Sequence, residues 1–227
     1  MRKENGEMLN ENRAIAGQVV NTAQEMISKG LAHGVAGNVS GRLSDGTGLV
    51  ITPSGKNYAA LTPEDLSFVG WDSAVLAGNS RPSTELPLHL AIYQARHDCQ
   101  AVVHTHSLYA CVLAVTHTRI PVFIDELMFV TGGPVEVADY GYPGTAELAH
   151  NLLLALGDRQ AVLLANHGVI GVGDTLAEAL QVCEVVKKIA QVLVEAQSFG
   201  TVYPLSPEVI ERQHKAFLAK KARLRSS

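Results

Sequence analysis

Two apolar runs of this chain end in histidine, and together they restrict what it can fold into. The first reads Ala101-Val102-Val103-His104-Thr105-His106, the second Leu163-Leu164-Ala165-Asn166-His167-Gly168. On a strand, residues two apart project from the same face, so His104 and His106 can converge on one point. Three neutral imidazoles around an open coordination position describe a catalytic zinc centre, where water or substrate takes the remaining place. A chain that uses all three for one ion must bring the ends of both runs together. For His104 and His106 alone, the other reading is a partly buried pair satisfied by backbone carbonyls. His167 shifts the balance toward a metal.

The surrounding pattern predicts one α/β domain over residues 1–227, a three-layer sandwich whose central sheet is mainly antiparallel and flanked by helices. Helical spacing over 10–29 predicts an amphipathic helix stopped by Gly30, after a loose tail at 1–9. From 35 to 71 the pattern changes to short β-rich pieces at 38–43, 49–52 and 67–71, separated by Gly, Asp, Pro and Ser. Helices are then expected at 85–96, 108–115, 125–130, 145–156 and 175–199, with strands at 102–106, 135–138 (an edge) and 161–164. Ser206-Pro207-Glu208 starts a last helix, so 206–227 forms a C-terminal helix and basic tail.

A net charge of −4 gives no general attraction to nucleic acid or to an anionic membrane. Three cysteines without metal-type spacing, Cys99, Cys111 and Cys183, argue for reduced thiols and a cytoplasmic protein. Residues 1–12 are polar, and no apolar stretch is long enough to span a bilayer.

Three short segments combine small hydroxyl or amide donors with glycine or proline: Gly37-Asn38-Val39-Ser40, Thr52-Pro53-Ser54-Gly55 and Arg81-Pro82-Ser83-Thr84-Glu85. Each alone reads as a turn. Beside the histidine set, their hydroxyls and free backbone N–H groups can wrap a phosphate without cationic side chains. Glu85 opens a helix, where an acid complements the helix dipole. Beside a metal it can instead ligate the ion before substrate arrives and then act as general acid or base. His89, one helical turn later, can reach the same pocket and is assigned a structural role, not ligation.

These motifs, in this order, resemble the class II aldolase/adducin family and within it the L-fuculose-1-phosphate aldolase branch, over about residues 15–207. The resemblance implies that Asn38, Ser54, Gly55, Ser83 and Thr84 hold a substrate phosphate, that His104, His106 and His167 bind Zn2+ with Glu85, and that Glu85 is the catalytic acid/base. It implies reversible cleavage of a ketose 1-phosphate to dihydroxyacetone phosphate and an aldehyde through an enediolate, in a homotetramer with active sites between subunits. In that branch a tyrosine from the adjacent subunit handles the aldehyde-side proton. The corresponding stretch here reads Ile124-Asp125-Glu126-Leu127-Met128, which offers Glu126, with Tyr140 and Tyr142 as other candidates. The same scaffold also serves sugar-phosphate 4-epimerases, which carry aspartate where this chain has Glu85, decarboxylases of 3-oxo-sugar-acid phosphates and thiosugar-phosphate dehydratases. From another class, a noncatalytic adducin-like assembly module needs no histidine set. Manganese, cobalt or iron also suit imidazole and carboxylate ligands.

Overall fold

The computed structural model describes residues 2–226, with side chains over 12–223. Its elements run α1 (Arg2–Ser28), β1 (Asn38–Arg42), β2 (Gly48–Ile51), β3 (Ser67–Gly70), β4 (Val75–Ala77), α2 (Leu86–Ala95), β5 (Ala101–Thr105), α3 (Leu108–Val115), α4 (Asp125–Thr131), β6 (Glu136–Ala138), α5 (Ala146–Leu156), β7 (Ala161–Leu164), β8 (Gly168–Gly173), α6 (Leu176–Phe199) and α7 (Pro207–Ser226). The strands form one sheet in the order β4-β3-β2-β1-β5-β8-β7-β6. Every pairing is antiparallel except β6 with β7. The expected three-layer α/β sandwich is the fold observed. α1 begins well before residue 10, and the tail expected at 1–9 falls where side chains lie outside the described residues.

Alternation along the strands sorts the core into the two sides of the sheet. Val39 and Val103 face α1 and α6, packing with Ala16, Val19, Leu180 and Cys183. Val102, Ile170 and Val172 face α2 and α5, packing with Leu88, Ile92 and Leu152. Leu163 and Val169 return to the first side, against α3 and the second half of α6. Burying one such side chain stabilises by about 1.5–3 kcal/mol, so a one-residue slip of β5 would forfeit several at once. The register is therefore pinned, and with it the face on which His104 stands.

Two strands were not foreseen. β4 is three residues long and fully exposed, so it carries no half-buried alternation to detect. β8 reads Gly168-Val169-Ile170-Gly171-Val172-Gly173, where three glycines look like turn residues. Close packing explains one of them: a Cβ on Gly171 would lie 2.7 Å from Cys183 Sγ and 2.8 Å from Ala179 O, both on α6. The glycines that hide the strand let the helix rest on it.

Candidate metal and substrate site

Strand order carries the site residues to one end of the sheet. Asn38 opens β1 opposite His104 on the adjacent β5, and β8 pairs with the other edge of β5. Chain direction alternates here, so the starts of β1 and β8 meet the end of β5. His106 lies just past that end, and His167 sits in the three-residue turn joining β7 to β8. Asn166 makes the turn possible in the left-handed region, with φ +55°, where asparagine is tolerated better than most residues. Gly168 makes room for the rings: a Cβ there would stand 2.5 Å from Thr105 O, 2.8 Å from His106 Cδ2 and 3.1 Å from His104 Cε1.

The other wall comes from beyond β2. Ser54 N donates to Arg81 O at 3.0 Å and Ser83 N to Thr52 O at 3.1 Å, with Pro53 and Pro82 bridged between them. This clasp ties two of the donor-rich segments together and delivers Glu85 at the N-cap of α2. Glu85 N donates to Ser83 Oγ at 3.2 Å.

The three rings stand edge to face, with centroids 4.7, 4.8 and 5.1 Å apart. Their available ligand atoms all lie within 4.8 Å of one another. Glu85 completes the group: Oε2 is 3.2 Å from His104 Nε2, and Oε1 is 3.3 Å from His167 Nε2. Asn38 Nδ2 donates to Glu85 Oε2 at 2.7 Å. Burial opposes ionisation of Glu85, but His104, then His167 and Asn38, hold its carboxyl well below the usual carboxylate range. Burial also disfavours charge on His104, yet Glu85 wins and raises it. Burial, reinforced by His104 and His167, pushes His106 down to about 3; burial and His104 lower His167.

Such a group suits a divalent cation. His104 Nδ1 is 3.1 Å from Val169 O, so the Nδ1–H is used on the backbone and Nε2 faces the cluster. His106 Nε2 approaches that same nitrogen to 2.8 Å. Two imidazoles favour the neutral, ligating form, the carboxylate is ionised, and Glu85 Oε1 is buried without a hydrogen bond. A cation would satisfy that orphaned oxygen and take the place of the His104 proton.

A cleft of about 230 Å³ opens over the cluster. Asn38, Ser54, Gly55, Ser83, Thr84, Glu85, His106 and His167 all line it, while His104 lies fully buried behind them. The expected phosphate and metal residues are thus brought together. Its lining residues, all described, include no Lys or Arg.

The sequence profile described as Class II Aldolase and Adducin N-terminal domain matches residues 17–194. The chain belongs to the class II aldolase/adducin family. It lies in the L-fuculose-phosphate aldolase branch. This aldolase is 37% identical over 201 residues, 88% of its chain and 93% of the relative's, to the 5-deoxy-D-ribulose 1-phosphate aldolase of Bacillus thuringiensis serovar kurstaki. It is 35% identical over the same length, 88% of its chain and 92% of the relative's, to the L-fuculose phosphate aldolase of Escherichia coli. A solved L-fuculose 1-phosphate aldolase structure superposes with a TM-score of 0.86 at 32% identity, covering 90% of this aldolase and 96% of that chain.

The candidates for the aldehyde-side proton lie outside the cleft of their own chain. Glu126, on α4, accepts from Lys188 Nζ at 2.6 Å and lines a separate groove with Lys29, Glu184 and Gln191. Tyr140 and Tyr142 are exposed and do not line the cleft. Sequence reasoning missed Tyr58, which lines it and donates from OH to Gly37 O at 2.6 Å. A single tyrosine in a Lys-Asn-Tyr-Ala turn gave no signal of this. His89, for which the sequence predicts a structural role, bonds Asn38 and Ser40 through its ring.

Proposed function

We propose that this aldolase cleaves a ketose 1-phosphate, of the L-fuculose 1-phosphate or 5-deoxyribulose 1-phosphate kind, reversibly to dihydroxyacetone phosphate and an aldehyde, with Zn2+ held by His104, His106, His167 and Glu85. One observation carries the reading. An ionised carboxylate with an orphaned oxygen faces the imidazole cluster from the same cleft that gathers Ser54, Gly55, Ser83 and Thr84. When bound, the cation supplies stabilisation of the negative charge that develops on substrate oxygens as the C3–C4 bond breaks.

The chain's own residues do the rest. Ser54, Ser83 and Thr84 hydroxyls and the Gly55 N–H hold the phosphate through neutral donors. Asn38 has one amide hydrogen left for it after serving Glu85. Glu85 Oε1, which makes no hydrogen bond, removes the C3 proton in condensation and releases it to solvent; in cleavage it takes a proton from solvent and passes it to C3. Aldehyde-side proton transfer falls to a group from a second copy, with Glu126 the first candidate. Large apolar side chains left in solvent, among them Leu108, Tyr142 and Phe199, support assembly into the homotetramer the family resemblance implies. The free thiols of Cys99, Cys111 and Cys183 fit the cytoplasm.

The test is condensation. Zinc-loaded protein is incubated with dihydroxyacetone phosphate and a panel of short deoxy- and hydroxyaldehydes, beside Glu85→Gln. New ketose 1-phosphate is expected from the parent, with Glu85→Gln slower by about 10²–10⁴-fold while zinc stays bound. No product across the panel overturns the reading, as does Glu85→Gln working at the parent rate. Release of carbon dioxide from a 3-oxo acid substrate would favour the decarboxylase instead.

A further inference from the structure

We propose that His89 is a positioning residue for Glu85, acting through Asn38: its ring N–H fixes the Asn38 amide so that Nδ2 faces the carboxylate. The inference rests on the reading of Glu85 as the acid/base, and it assigns Asn38 chiefly to that carboxylate and less to phosphate.

The geometry is a buried chain of four side chains ending on Glu85. His89 is fully buried on α2, four residues after Glu85. Its Nδ1 lies 2.6 Å from Ser40 Oγ and its Nε2 lies 2.5 Å from Asn38 Oδ1. Tyr93 OH is 3.0 Å from Ser40 O and 2.9 Å from Ser40 Oγ. Asn38, only 3% exposed, then donates to Glu85 Oε2.

An asparagine amide has nearly the same shape either way round, so packing alone does not choose which end meets a carboxylate. Hydrogen counting does. Tyr93 has one hydroxyl proton, and donating it to Ser40 O leaves the Ser40 hydroxyl free to donate to His89 Nδ1. The neutral ring then carries its single hydrogen on Nε2 and must donate to Asn38 Oδ1, which turns Nδ2 toward Glu85. In the reverse chain Asn38 Oδ1 would face an ionised carboxylate at hydrogen-bond distance, acceptor against acceptor. Burial keeps His89 neutral, pushing it down to about 3, so the ring holds one N–H rather than two. The hydrogen bond at the end of the chain is charge-assisted, roughly twice as strong as a neutral one.

The consequence falls on Glu85. The Asn38 hydrogen bond holds Oε2 and leaves Oε1, 3.3 Å from His167 Nε2, as the oxygen free of hydrogen bonds. A carboxylate that must pass a proton to one carbon gains from having a single available oxygen in a fixed place.

The experiment uses zinc-loaded enzyme and follows deuterium exchange from solvent into C3 of dihydroxyacetone phosphate, a half-reaction that needs no aldehyde. His89→Leu is expected to lower kcat for exchange by roughly 10–100-fold, with KM and zinc content nearly unchanged. His89→Gln, which keeps a donor for Asn38, is expected to restore most of that loss. Asn38→Leu should match His89→Leu, and the double variant should be no worse than either, because both break one chain. Losses confined to KM would return Asn38 to the phosphate, equal behaviour of the Leu and Gln variants would leave only packing, and additive losses would break the chain; each overturns the proposal.

A second readout does not depend on turnover. Ring ¹⁵N NMR of the metal-free parent is expected to show His89 as the Nε2–H tautomer; an Nδ1–H tautomer reverses the chain and overturns the proposal, even if a leucine variant fails to fold. Exchange by Glu85→Gln at the parent rate would sink the acid/base reading instead, leaving the tautomer result to judge the chain by itself.

Discussion

On the function proposed, the imidazole side of the cleft and its hydroxyl side handle opposite charges by opposite means. His104 and Glu85 stand at the ends of regular elements, buried, with hydrogen bonds to Val169 O and Asn38 that set which atom faces the centre. Ser54, Gly55 and Thr84 lie on turns, exposed, in two loops tied together by the Ser54 N–Arg81 O and Ser83 N–Thr52 O hydrogen bonds. A cation needs its ligands deprotonated and fixed within tenths of an ångström, which demands burial and orientation. A phosphate carries its own charge and accepts many donors at once, so several exchangeable ones suffice. The buried side should therefore respond to single changes steeply and the exposed side shallowly.

The largest expected effect is on the buried side. His104→Ala removes the proposed zinc ligand whose orientation the backbone sets, and zinc in the loaded protein should fall below one per chain with turnover down roughly a thousandfold, since metal stabilisation is worth several kcal/mol at about 1.4 kcal/mol per tenfold. Elemental analysis beside condensation rates checks this; full zinc occupancy in the variant would erase the contrast.

Next comes pH, read on metal-free protein by urea unfolding. The unfolded chain protonates His89 near 6.5, whereas the folded chain resists until about 3. Between those values the unfolded state binds more protons, so stability rises with pH and is lost on acidification, by a few kcal/mol. His106, also pushed down to about 3, and the lowered His167 add loss in the same direction below 6.5, and Glu85, held low in the fold, adds more below its ordinary 4.5. His104 is raised and acts oppositely, its contribution present below 6.5 and lost above, outside this window. His89→Gln should remove the His89 share and make the acid slope shallower, the rest staying with His106, His167 and Glu85; an unchanged slope would deny His89 its part.

Gly168→Ala sharpens the comparison through space rather than charge. The new Cβ enters the ring cluster, and overpacking of this kind costs about 1–3 kcal/mol, with zinc affinity falling alongside. Gly17→Ala in α1, where nothing lies within 4 Å of the added carbon, should instead stabilise by about 0.5–1 kcal/mol. Equal effects at the two sites would deny the cluster its tight packing.

The smallest effects belong to the exposed side. Ser54→Ala or Thr84→Ala should each raise KM for dihydroxyacetone phosphate about fivefold, roughly 1 kcal/mol, with kcat nearly kept and unphosphorylated dihydroxyacetone unaffected. A loss equal to that of His104→Ala would make the two sides alike.

Much of this is legible in the sequence. The apolar run Ala101-Val102-Val103 leading into His104 marked a strand with a polar intruder, and helical spacing over 175–199 marked α6. What stayed hidden was of two kinds. β8 was masked by glycines whose purpose is contact with α6, and no local pattern distinguishes a glycine chosen for close approach from one chosen for a turn. The Tyr93–Ser40–His89–Asn38 chain joins residues up to 55 positions apart from ordinary polar types, which carry no spacing signal.

By itself, then, the sequence determined the class of fold, the histidine set and the donor-rich turns, because periodic burial and residue chemistry are local properties that the chain carries wherever it goes. Only the tertiary structure decided that the starts of β1 and β8 meet the end of β5, and that Asn38 presents its amide to the Glu85 carboxylate. Strand order and hydrogen-bond direction are cooperative, set by contacts between segments far apart in the chain, and one satisfied arrangement emerges only when all of them are in place.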